Sequence, residues 1–140
     1  MPVTLAIAAL LTWIITAVFG FTMLGLWLSK GGLRAAQSDT AIPTRLVPPL
    51  IFSHFLLAAG GLVLWIVYVI IHSYILGWIA FGLLIVVAIL GDVMFLRWRR
   101  SRKEATPEAR FPVAVVYSHG LFAVTTIVLV LLTALGIGVS

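Results

Sequence analysis

The chain has 140 residues, 63% of them apolar and only 9% charged, with nine Lys and Arg against four Asp and Glu and a formal charge of +5. A soluble domain carries about 25% charged residues, so this composition excludes one and identifies an integral membrane protein. The absence of cysteine excludes disulfides, thiolate metal sites and thiol nucleophiles.

Four apolar runs are long enough to cross a hydrocarbon core, which takes roughly 20 helical residues. They cover about 3–28, 46–71, 75–96 and 111–139. Backbone in lipid must satisfy its own hydrogen bonds, and these runs lack the alternation of barrel strands, so they are helices. The predicted fold is all-α, a polytopic four-transmembrane-helix bundle forming a single domain over residues 1–140.

The first run starts at Met-Pro-Val with no basic stretch before it and reads as a retained helix, not a cleaved signal peptide. Its Thr4, Thr12, Thr16 and Thr22, mixed with Ala and Gly, suit close helix packing, and Trp27 is expected to anchor at an interface. The link Ser29 to Thr44 holds Gly31, Gly32, Asp39 and Pro43 and predicts a polar loop with a short interfacial helix near Leu33 to Gln37.

The turn His72 to Gly77 is tight enough to make the second and third runs antiparallel neighbours, with His72 solvated. Trp65, Tyr68, Tyr74 and Trp78 flank it and read as an interfacial belt, or as the walls of a quinone pocket. The third run contains Gly77, Gly82 and Gly91 and ends at Asp92, the only acidic residue inside any run. Asp92 is either part of a proton or ion path or a boundary acid paired with Arg97, about 7.5 Å further along the helix. The link Ser101 to Ala109 mixes charges around Pro107 and is expected to be solvated. Thr125, Thr126 and Thr133 lie in the fourth run, where Gly136 and Gly138 loosen the last turn.

The basic residues fall in two places only. Lys30, Arg34 and Arg45 belong to the first link, and Arg97, Arg99, Arg100, Arg102, Lys103 and Arg110 to the last. The positive-inside rule places both links in the cytoplasm and both termini outside, in what reads as a bacterial cytoplasmic membrane. The charge is therefore an orientation signal, with anionic lipid as a contact for the RWRRSRK cluster, and not a nucleic-acid surface.

RLVPPLIFSHFLLAAGG at 45–61 and RFPVAVVYSHGLFAVTT at 110–126 share a layout. Each has an Arg, a Ser-His pair with the His nine residues past the Arg, and an Ala four residues past the His. Since both runs enter from the same side, the chain reads as two parallel helical-hairpin repeats, about 1–72 and 73–140. The first and third runs match faintly, GLWL against GDVM.

Nine residues place both histidines about 13.5 Å inside the Arg level, near mid-membrane. The face through His54 continues to Ala58 and Gly61, and that through His119 to Ala123 and Thr126, leaving a clearing beside each imidazole. The expected group is a b-type haem with His54 and His119 as axial metal ligands. Arg45 and Arg110 would neutralise its propionates, and Ser53 and Ser118 would orient the rings. In architecture, bundle and paired histidines resemble the four-helix membrane cytochrome b subunits, which implies electron transfer. A copper or zinc site is a poorer match, because two histidines with Met23 or Met94 fall short of the usual three or four ligands.

Two other functions fit the same residues. The Ser-His pairs can act as interhelical hydrogen-bond glue in a non-redox accessory or assembly subunit. Alternatively, His54, His119 and Asp92 can line a proton, ion or small-molecule path. Paired carboxylates, a glycine-rich phosphate loop and a Ser-His-Asp arrangement are all missing, so the sequence does not support catalysis. A single haem at one depth calls for a partner: a quinone, other membrane subunits or a second copy in a homo-oligomer.

Overall fold

The computed structural model describes residues 2–39 and 44–137. The expected breaker at Pro43, the loosening at Gly138 and a helix end at Val139 lie outside those residues. Among the described residues there are only helices: α1 Pro2–Ser29, α2 Gly32–Ala36, α3 Pro48–Ile71, α4 Tyr74–Ser101, a 3₁₀ turn Pro107–Arg110, and α5 Val113–Ala134. Four of them, α1, α3, α4 and α5, are long and apolar enough to cross a membrane. This is the expected four-helix bundle, with the short interfacial helix present as α2.

The helix boundaries follow local chemistry. Pro48 and Pro49 occupy the first turn of α3, where a missing N–H costs nothing, and Pro112 caps α5. The expected start at Leu46 therefore moves to Pro48, and that at Phe111 to Val113. The third run continues past Leu96 to Ser101, because Arg97, Trp98 and Arg99 are good enough helix formers to carry it beyond the apolar stretch. At the far end Gly136 adopts a left-handed φ of 72°. The Gly136 and Ile137 N–H groups donate to Thr133 and Leu132 at 3.0 Å each, closing a Schellman cap that ends α5 at Ala134.

Around the bundle the order is α1, α3, α4, α5. The tightest pairs are α1 with α5 and α3 with α4, while the sequence neighbours α1–α3 and α4–α5 form looser seams. The chain's two hairpins are thus held chiefly by contacts made between them. Lipid-facing positions carry the bulky aliphatics, such as Leu56, Ile70, Ile89 and Leu121, all exposed. Small residues and tryptophan fill the interior, as expected where helix association depends on close packing and not on excluding water.

The core-facing positions repeat. Ala9, Gly20, Met23 and Trp27 of α1 correspond to Ala80, Gly91, Met94 and Trp98 of α4, 71 positions on. On α3 and α5 the offset is 65: Leu46, Ile51, Gly61 and Trp65 correspond to Phe111, Val116, Thr126 and Val130, all eight buried. The faint GLWL–GDVM alignment is therefore out of register by five residues, since its offset is 66.

Two expectations are corrected. Trp27 and Trp65 are 1% and 0% exposed, so neither belongs to an interfacial belt. The Trp65 indole N–H donates to the Ala6 carbonyl at 3.1 Å, and that of Trp27 to the Thr44 hydroxyl at 3.4 Å. The link Ser101 to Ala109 is only partly solvated: Arg102, Lys103 and Ala105 are exposed, but Ser101, Thr106, Pro107 and Glu108 are buried. The cause is the Glu108 carboxylate, which accepts the Thr44 hydroxyl at 2.8 Å and the Arg45 backbone N–H at 2.6 Å. Arg45 also forks onto Glu104 at 2.5 and 2.8 Å, and Arg97 donates to the Arg45 carbonyl at 3.1 Å. This clasp joins the two links at the basic end of the bundle.

Candidate functional site

The apolar core falls into two clusters. Ala6, Ala9, Trp13, Trp65, Ala80, Leu84 and Val130 form one toward the 72–73 turn, and Trp27, Leu46, Ile51, Trp98, Phe111 and Val116 form the other at the basic end. On every one of the four helices a polar or glycine position separates them: Gly20 on α1, His54 on α3, Gly91 on α4 and His119 on α5. That layer is the candidate site.

Although α3 and α5 lie diagonally across the bundle, their histidines meet in this layer. The ring centres are 6.3 Å apart and the planes are tilted by 56°. Each Nδ1 is bonded to a carbonyl of a neighbouring helix, His54 to Val87 of α4 at 3.0 Å and His119 to Thr16 of α1 at 2.8 Å. A carbonyl only accepts, so each Nδ1 carries the proton and each Nε2 keeps its lone pair. Neither Nε2 makes a hydrogen bond to a described residue.

Glycine makes these contacts possible. A Cβ on Gly91 would stand 3.2 Å from His54 Cε1, and one on Gly20 would stand 3.2 Å from His119 Cε1. Val87 precedes Gly91 by four residues and Thr16 precedes Gly20 by four, so a helical turn presents the acceptor carbonyl and the bare Cα together. The layer is a two-fold arrangement of imidazole, carbonyl and glycine.

The other expected site residues divide. Ala58 and Ala123 are half-buried one turn from the histidines. Two turns away the space is taken: a Cβ on Gly61 would stand 3.1 Å from the Trp13 ring, and Thr126 donates to the Thr12 hydroxyl at 2.9 Å. Ser53 is exposed and Ser118 half-buried, and the rings are oriented by the Val87 and Thr16 carbonyls instead of by the serines. Arg45 is held by Glu104, while Arg110 is exposed with no ion pair among the described residues. Asp92 is exposed on α4 and likewise unpaired among them, Arg97 being turned to the Arg45 carbonyl.

Two imidazoles on opposite sides of one ion need ring centres about 6 Å apart, from a metal–nitrogen bond of about 2 Å and a ring radius of about 1 Å. The observed 6.3 Å matches that spacing. Among the described residues no group of three or more His, Cys, Asp and Glu could hold a metal. A bare ion is thus under-coordinated here, whereas a tetrapyrrole that brings its own four nitrogens needs only two.

Sequence reasoning missed Gly20, Gly91 and the two carbonyls. The available signal was the 71-residue match of Gly-x-x-Met-x-x-x-Trp at 20–27 with the same pattern at 91–98. No known family, curated protein or solved structure matches this chain.

Proposed function

We propose that this protein is a membrane b-type cytochrome, or the haem-bearing subunit of a larger redox complex, with His54 and His119 as the axial ligands of haem b. The observation that carries the reading is the interruption of the core by two imidazoles at bis-ligand spacing, each with its other nitrogen tied to a neighbouring helix. Haem bound there would supply one-electron transfer.

The chain's own residues have defined tasks in this reading. The Val87 and Thr16 carbonyls hold the tautomer that leaves Nε2 free and raise its basicity. The apolar clusters above and below exclude water and lower the local dielectric. Arg110 is the better placed of the two expected propionate partners, because Arg45 already serves Glu104. The positive-inside rule puts the basic end in the cytoplasm and the termini outside. Since the histidines occupy one depth, a haem held there would need a quinone, another subunit or a second copy to connect it with the far side.

The test is the reduced-minus-oxidised spectrum of the purified protein. Sharp haem bands lost in His54→Ala and in His119→Ala support the proposal, and a colourless, helical wild type removes it.

One observation favours a second reading, a non-redox accessory subunit. Each imidazole already ties two helices together, and such interhelical bonds are worth about 0.6 to 2 kcal/mol. In that case both alanine variants lose stability in a protein that never had colour.

A further inference from the structure

We infer that the notch where α1 turns into α2 binds the phosphate of an anionic phospholipid at the membrane surface. The place is built by the local backbone. The Lys30 N–H still donates to Leu26, Gly31 then takes a left-handed φ of 83°, and α2 folds back under the bundle. Gly32 is buried against the Trp27 ring with no room for a Cβ, so α2 is pressed onto the base of the core. Beside this contact lies a cleft of about 490 Å³ lined by Leu28, Ser29, Lys30, Gly31, Leu33 and Arg34.

The lining has two halves that match the two halves of a phospholipid. Lys30 and Arg34 are exposed, and neither makes an ion pair among the described residues. Both nearby glutamates are spent elsewhere, Glu104 on Arg45 and Glu108 on Thr44 and the Arg45 backbone. Leu28 and Leu33, 42% and 45% exposed, stand next to these cations. Two cations suit a phosphate, the Ser29 hydroxyl being already donated to the Leu26 carbonyl at 3.0 Å, and the adjoining leucines suit the first carbons of acyl chains. A free phosphate would use only the polar half. The position of the notch at the lipid surface follows from α1 being a membrane span and owes nothing to haem.

Native mass spectrometry of the detergent-purified protein tests this, with added phosphatidylglycerol, phosphatidylcholine or glycerol 3-phosphate. Wild type should retain one phosphatidylglycerol in preference to phosphatidylcholine. Each surface cation contributes roughly five-fold to binding an anionic membrane, so K30Q/R34Q should bind about 30-fold more weakly. K30R/R34K, which keeps both charges in place, should bind as wild type does. Lys30 and Arg34 are solvent-facing, so circular dichroism of the double variant should be unchanged. Equal loss in K30R/R34K, no preference for the anionic lipid, or full displacement by an equal concentration of glycerol 3-phosphate would each overturn the assignment.

Discussion

His54 and His119 stand 6.3 Å apart in the centre of the bundle although they belong to its diagonal helices. They reach each other because the other two helices give way at the same level, α1 at Gly20 and α4 at Gly91. The histidine layer is therefore a product of all four helices. A substitution on α1 or α4 should disturb it as surely as one on α3 or α5.

Gly20→Ala and Gly91→Ala should each displace an imidazole, since the new methyl would approach Cε1 to 3.2 Å. Overpacking of this kind costs about 1–3 kcal/mol. The effect should appear as a lower thermal midpoint and a faster loss of bound haem, of similar size for the two sites. Gly25→Ala and Gly120→Ala, where a Cβ would meet nothing within 4 Å, serve as controls and should leave both unchanged.

The four-helix bundle, its short interfacial helix and the paired histidines were legible in the sequence because they depend on run length, charge placement and one repeated motif. The partners of the histidines were not. A carbonyl acceptor such as Thr16 or Val87 leaves no side-chain signature, and α1 and α4 share few identical residues outside Gly, Met and Trp. The belt reading of Trp65 failed for a related reason. An indole that finds a carbonyl, here that of Ala6, can be buried as completely as leucine.

The tryptophans should separate by partner. Trp65→Phe removes the donor to Ala6 and should destabilise the bundle by about 1 kcal/mol. The Trp98 Nε1 is buried without a partner among the described residues, Ala109 standing where the first half has Thr44. Trp98→Phe deletes an unsatisfied donor, so it should be neutral or raise stability by about 1 kcal/mol. Thermal unfolding in one detergent compares the two directly.

The clasp at the basic end should be acid-sensitive in a defined direction. The hydrogen bond from the Arg45 guanidinium holds the Glu104 carboxyl below its ordinary value of 4.5. A group with a depressed folded pKa contributes stability that is complete above the unfolded pKa and is lost as pH falls through the folded one. The Arg45–Glu104 pair should stay closed at neutral pH and open only below about 4.5. Hydrogen exchange over residues 102–106 should rise there in wild type, and Glu104→Gln should show the higher rate at every pH. Glu108→Ala should cost more, about 1–3 kcal/mol, because it strands the Arg45 N–H and leaves the buried Thr44 hydroxyl only its longer bond to the Leu46 carbonyl at 3.2 Å.

The most direct test of the histidine layer is a titration of haem into the apo-protein in detergent, followed in the visible spectrum. A sharp end point should appear at one haem per chain, with a six-coordinate, low-spin spectrum. His54→Ala and His119→Ala should each fail to form that species while keeping wild-type helicity. A fully helical wild-type protein that takes up haem without an end point, or whose low-spin spectrum survives loss of either histidine, would contradict ligation by this pair.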